Sequence, residues 1–149
     1  MALTKLGIGA FPAGAVIQTV EAQSQSSITE PGTSFADVNG TSISITPSST
    51  SSKILILWNC GGMSNGVNND IAFKIFRGST LVRDIQRYSY SNGTDWFPTP
   101  IAIQYLDSPA TTSSVTYKLQ SRTGADADFR INDNAATDSM VVIAMEIKG

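Results

Sequence analysis

The chain has 149 residues, enough for one domain of ordinary size with a core of its own. Charged residues make up only 15%, against the usual roughly 25%, and 19 Ser and 15 Thr supply much of the remaining polarity. A net charge of −2, a pI of about 4.9 and Lys and Arg scattered singly argue against nucleic-acid binding, and no apolar run is long enough for a transmembrane helix.

In chain order, Met1 to Gly14 comes first. It holds a single Lys5 and no apolar core, so no secretory signal is expected. With Gly7, Gly9, Pro12 and Gly14 it reads as an extended arm, residues 1–14, ahead of a sandwich domain over residues 15–149. Ala15 to Ala22 reads as a first strand. Gln23 to Gly32 is polar and ends on the turn signal Pro31-Gly32. Thr41 to Thr46 alternates strictly, with Ile43 and Ile45 on one face and hydroxyls on the other, as a half-buried strand does. Asn39-Gly40 before it is turn chemistry, and Ser48 to Ser52 after it is a loop. Lys53 to Cys60 is the most apolar run and predicts a central strand.

Gly61-Gly62 and Asn65-Gly66 predict a flexible connection. Ile71 to Arg77 and Thr80 to Tyr88, separated by Gly78-Ser79, predict a tight hairpin. Tyr88 to Pro98 then reads as an aromatic loop around Asn92-Gly93, carrying Tyr88, Tyr90, Trp96 and Phe97. Ile101 to Leu106 and Val115 to Gln120 alternate as strands, with Asp107-Ser108-Pro109 as the turn after the first. Asp128 to Ile131 predicts a short strand, and Met140 to Ile147, rich in stiff β-branched residues, a last one. The fold class is therefore all-β. An antiparallel jelly-roll sandwich of about eight strands is expected, ahead of an immunoglobulin-like sandwich of about seven.

Chemistry is sparse. The chain has no His, which removes His-dependent triads and His-ligated metals. Cys60, the single cysteine, reads as a buried small hydrophobe. The three Glu offer no evident pair for glycoside hydrolysis, and Glu146 reads as a solvated strand residue. Asp126, Asp128, Asp133 and Asp138, with Asn132 and Asn134, carry the hard oxygens Ca²⁺ takes. Their spacing is not that of an EF-hand, and turn chemistry is the simpler reading. No enzyme, cofactor or metal is expected. Asn39-Gly40-Thr41 and Asn92-Gly93-Thr94 match a glycosylation pattern but read as turns. The aromatics Tyr88, Tyr90, Trp96 and Phe97 have three possible roles: core packing, a subunit interface, or stacking on a sugar.

Several stretches share a family look. They are Ile43 to Leu57, with Ser44-Ile45-Thr46-Pro47 through Ser52-Lys53-Ile54-Leu55-Ile56, Arg77-Gly78-Ser79-Thr80, Tyr105-Leu106-Asp107-Ser108-Pro109-Ala110-Thr111-Thr112, Val115-Thr116-Tyr117-Lys118 and the closing Ala144 to Gly149. Together, over roughly residues 15–149, they resemble jelly-roll virion structural proteins, decoration or fibre, of marine phages and cyanophages. The resemblance implies a TNF/C1q-like jelly roll and a homotrimer on a phage particle, made in the host cytoplasm. The chain is shorter than the fibres it resembles and has no shaft, heptads or collagen-like repeat. A capsid decoration (cement) or head-fibre protein is therefore the leading expectation, seated on the major capsid protein or another virion protein. Leu3, Leu6, Ile8 and Phe11 of the arm are its expected capsid contacts. A receptor-binding tip that contacts host glycans through the aromatic loop is the alternative. Neither nucleic acid nor membrane is expected as a partner.

Overall fold

The computed structural model describes residues 7–29, 32–124, 128–132 and 139–149. The described strands are β1 (Val16–Ser24), β2 (Ile28–Thr29), β3 (Ala36–Asp37), β4 (Ile43–Ile45), β5 (Lys53–Cys60) and β6 (Gly62–Arg77). They continue with β7 (Thr80–Pro98), β8 (Ile101–Asp107), β9 (Val115–Thr123), β10 (Phe129–Ile131) and β11 (Met140–Ile147). All pairings are antiparallel.

Two sheets form. One has four strands in the order β1-β11-β5-β8. The other is seven-stranded: β9 and β10 lie along one edge of β6 and β7 along the other, while β3 and β4 pair with β9 and β2 with β10. The sheets face each other across one core. Ile54, Ile56, Trp58, Val142 and Ala144 come from the first sheet, and Phe73, Ile75, Tyr117, Leu119, Phe129 and Ile131 from the second. The Trp58 indole N–H, fully buried, donates to the carbonyl of Thr41 at 3.1 Å, so this aromatic is packed without an orphan donor.

The predicted strand positions are close to those found, but eleven segments replace about eight. The added strands are the two-residue β2 and β3, in the polar stretch before Thr41 where no strand is predicted. The Asn39-Gly40 turn separates β3 from β4, with Gly40 at φ +77° and the Thr41 N–H donating to Val38 O. β9 and β10, predicted as separate strands, both lie along one edge of β6. The Gly78-Ser79 hairpin is present, with Arg77 opposite Thr80 and Gly78 at φ +56°.

Two expectations need correction. Gly61-Gly62 and Asn65-Gly66 are not a flexible connection, because β6 begins at Gly62 and runs through both signals. Gly62 is there for space: a Cβ would stand 2.6 Å from the Thr99 carbonyl oxygen and close to the Phe129 ring. Gly66, at φ +105°, sits opposite Gly93 at an irregularity of the pairing, where a backbone without side chains can depart from the ladder. For the same reason Tyr88 to Pro98 is not a loop. It is the second half of β7, and Asn92-Gly93 marks that irregularity rather than a turn.

Candidate functional site

The two sheets treat their outer faces differently. In β9, Tyr117, Leu119 and Ser121 point inward and Thr116, Lys118, Gln120 and Arg122 outward, the usual pattern of a half-solvated antiparallel strand. β11 breaks that pattern. Its inward residues are Met140, Val142, Ala144 and Glu146, and its outward residues, Val141, Ile143, Met145 and Ile147, are apolar as well. On β5 next to it, Ile54, Ile56 and Trp58 point inward while Leu55 and Leu57 point outward. Register places Leu57 beside Ile143 and Leu55 between Met145 and Leu106. Val16 on β1 and Leu106 on β8 stand at opposite edges of this face, 51% and 47% exposed. A shallow depression of about 190 Å³ opens on the β5–β8 side, lined by Leu57, Asn59, Ala102, Ile103 and Gln104. The centre of this face is apolar, while the exposed Glu21 on β1 and Lys53 on β5 stand at its margins.

The aromatic residues of β7 do not act as one cluster. A bulge sets three residues, Gln86 to Tyr88, against Ala72, with Arg87 at φ 52°. It turns Tyr88 onto the core, where its ring meets Phe73 edge-on at 5.2 Å. Its hydroxyl donates to Pro100 O at 3.2 Å and accepts from the Ala102 N–H at 2.8 Å, tying β7 to β8. Tyr88 is thus a packing residue. Phe97, opposite Ser64, is half-buried. Trp96 is half-buried with the Arg130 guanidinium 4.1 Å from its ring centre. Tyr90, opposite Asp70, is 55% exposed.

Of the arm residues singled out, Leu3 and Leu6 lie outside the described residues. Ile8 opens a short 3-10 turn, Ile8–Ala10, and Phe11 is exposed. From residue 7 onward the arm is tied down. The Gly14 N–H donates to Lys148 O at 2.8 Å and the Lys148 N–H to Ala15 O at 2.9 Å. The Lys148 ammonium donates to the carbonyls of Gly9 and Phe11. The arm therefore leaves the sandwich from the end where β1 starts and β11 finishes.

Most polar groups inside the sandwich are partnered and structural; among the described residues Ser52 Oγ, Ser121 Oγ and Asn132 Oδ1 are buried without a hydrogen-bond partner. Asp107, at the end of β8, accepts from Arg77 Nη1 at 2.7 Å and from the Tyr117 hydroxyl at 2.6 Å, bolting one sheet to the other. Burial, with the Asp107 bond and charge added, holds the Tyr117 phenol far above its ordinary range. Glu146 is not solvated: it is 1% exposed and accepts from the Ser48 N–H at 2.7 Å and the Ser48 hydroxyl at 2.6 Å. Burial alone would raise its carboxyl. The two bonds from Ser48, with the Ser52 hydroxyl close by, outweigh that and hold it below its ordinary value. Burial pushes the Cys60 thiol up to about 12, which makes it a poor nucleophile, as expected of a residue packed against the core.

Asp126, Asp133, Asp138 and Asn134 lie outside the described residues. The Asp128 N–H donates to Asn65 Oδ1 at 3.0 Å, and Asn132, at φ 52°, donates to Ser24 O at 3.1 Å, as turn residues do. Among the described residues no three of Cys, Asp and Glu gather to hold a metal, and no helix is long and apolar enough to cross a membrane.

No family model matches the chain, and no curated protein does. Among solved structures it is similar to infectious bursal disease virus VP2 in a subviral particle, at 10% identity and a TM-score of 0.41, over 96% of this chain and 41% of that one. Particles derived from the same virus in T=1 form give 11%, 0.45, 99% and 41%. Dimeric latent PorU from Porphyromonas gingivalis gives 10%, 0.35, 92% and 14%. The chain spans about 41% of the length of the first of these, and such identities and TM-scores assign it no family.

The outer face of the four-stranded sheet was the feature sequence reasoning missed. Its signal was present: Val141-Val142-Ile143 is apolar at consecutive positions, so one side of the strand had to present apolar residues away from the core.

Proposed function

We propose that this chain is a non-enzymatic structural protein of a phage particle, a homotrimeric capsid decoration or head-fibre protein anchored through its N-terminal arm. The strand order carries the reading. If β2–β4 count as one interrupted strand and β9–β10 as another, eight strands remain, in sheets ordered 1-8-3-6 and 2-7-4-5. We read this as a jelly-roll order, in which strands distant in sequence become neighbours. It supports the resemblance of residues 15–149 to virion jelly rolls, which implies the TNF/C1q-like trimer. In this reading the arm, whose Gly14 and Gly9 bond Lys148, reaches from the sandwich to the shell, with Leu3, Leu6, Ile8 and Phe11 as its contacts.

The test is incorporation. Full-length protein added to particles lacking it should bind, and a variant with Leu3, Leu6, Ile8 and Phe11 all replaced by Ser should keep its fold and its native mass but fail to bind. Normal incorporation of that variant would dismiss the arm as anchor. One observation favours a second reading, a host-glycan contact: Trp96 and Tyr90 keep exposed surface on β7. Trp96→Ala should then abolish binding on a glycan array; a wild-type chain that binds no glycan ends that reading.

A further inference from the structure

From residue 7 onward, where the structure describes it, the N-terminal arm is folded back on itself. At Gly14 the backbone takes φ +85°, a conformation that residues with a Cβ rarely adopt. Two turns lie ahead of it in the chain, closed by the Ala15 N–H on Pro12 O at 3.2 Å and by the Ala10 N–H on Gly7 O at 2.9 Å. The Gly14 N–H is bonded to Lys148 O, and the ammonium of the same lysine donates to the carbonyls of Gly9 and Phe11. In an extended arm Gly9 would stand roughly 17 Å from Gly14, farther than a lysine side chain reaches. Gly14 is thus a hinge, residues 7–13 form a hook, and Lys148 closes it.

Little else holds the hook. Every position from 9 to 14 is exposed, and none of them belongs to the core or packs on it. The backbone bonds between Lys148 and residues 14 and 15 extend the β1–β11 ladder and do not depend on the hook. What remains are the two local turns and the two bonds from one ammonium, which lie exposed. Exposed bonds of this kind shift a closed-to-open ratio by about fivefold. A closure that weak orders the arm in the free chain and yields to a partner that binds only the open form.

We propose that Lys148 is a latch on the arm: in the free chain it stores residues 7–13 as a hook against the end where β1 starts and β11 finishes, and docking on the shell opens the hook about Gly14. The proposal rests on the arm-anchor reading above and adds the step that precedes anchoring. Opening changes what the arm can reach. Extended, residues 7–13 span roughly 23–25 Å beyond the hinge, whereas the hook keeps Gly9 and Phe11 within bonding distance of Lys148. Because the shell binds only the open arm, its apparent affinity is lowered by the fraction of chains that are open. Loss of the latch should therefore raise it, by about threefold for a fivefold latch near balance.

Backbone nitrogen-15 relaxation on the full chain reads the latch, and binding to particles lacking the protein reads its consequence. In the wild type, the order parameters of Gly9, Ala10 and Phe11 should stand above the ~0.6 that marks flexible backbone. Lys148→Met keeps the stem and removes the donors, and should bring all three below that value while the β1 amides and the Tm stay as they were. Lys148→Arg, still a donor, should restore the order. Lys148→Met should also bind particles about threefold more tightly at unchanged native mass. Gly14→Ala, which strains the hooked backbone, should act in the same direction through the hinge. Unchanged order parameters in Lys148→Met would overturn the latch. Disorder in that variant with weaker particle binding would overturn the opening step, because the hook itself would then be what docks. A wild-type chain that binds no particle overturns the arm-anchor reading and the docking step with it, while the order parameters still decide the latch.

Discussion

Replacing Asp107 by Ala is the most direct probe of how the two sheets are held together. The carboxylate is 7% exposed and receives two bonds on the same oxygen, from Arg77 at 2.7 Å and Tyr117 at 2.6 Å. The two bonds are not equal. Arg77 keeps 26% of its side chain in water and can rehydrate, so its share is about 0.5–1 kcal/mol. The Tyr117 residue is fully buried, and its hydroxyl would lose a charge-assisted bond and stay unsatisfied, at about 2–3 kcal/mol. Asp107→Ala should therefore cost about 3 kcal/mol, which in a chain of this size lowers Tm by roughly 6–12 °C. Tyr117→Phe should cost only about 1–2 kcal/mol, since the carboxylate keeps Arg77. Urea unfolding at fixed protein concentration reads both, and an unchanged slope would show that the change lies in stability rather than in the unfolded ensemble. A loss below about 0.5 kcal/mol for Asp107→Ala, or no coupling between the two positions in a double-mutant cycle, would refute the bolt.

Acid should destabilise the fold through Glu146. Its folded carboxyl titrates below the ordinary value, so the unfolded chain takes up the proton first as pH falls. The stabilisation is complete above the unfolded value and is lost as pH falls through the folded one; Glu146→Gln should flatten that part of a stability–pH profile, and an unchanged profile would clear Glu146. Asp37, held low by the Lys118 bond, and Asp70, held low by the Arg122 bond, act in the same direction. Gly62→Ala should destabilise by about 1–3 kcal/mol, because its Cβ would meet the backbone oxygen of Thr99 rather than a side chain able to move. A wild-type Tm for this variant would mean that β6 and the Thr99 segment are not so closely apposed. Cys60 should resist thiol-specific reagents below pH 10 in the folded chain and react on unfolding.

What was legible in the sequence was local. Thr41 to Thr46 announces β4 by strict alternation, and Ile43 and Ile45 are indeed the buried side. Gly78-Ser79 announces the hairpin because the turn needs a residue that accepts positive φ. Met140 to Ile147 is β11 to the residue. What failed was long-range. Asn92-Gly93 has turn composition, but the same pair suits a pairing irregularity, and only the presence of Gly66 opposite decides between them. Glu146 looks solvated by composition. It is buried because alternation along β11 sends even positions inward, and because Ser48, nearly a hundred residues earlier, donates both its N–H and its hydroxyl to one of its oxygens. Tyr88 belongs to a run of aromatics, yet a bulge at Arg87 turns it alone onto Phe73. The outer apolar face could be suspected from Val141-Val142-Ile143, but naming it required the register that sets Ile143 beside Leu57.

The central claim is self-assembly into a virion component, and native mass by light scattering on the purified full-length chain tests it most directly. The account predicts a mass near three times the 15.8 kDa of one chain, holding upon dilution into the micromolar range. A mass of one chain across that range would contradict it, and would leave the apolar sheet face to a partner of another kind.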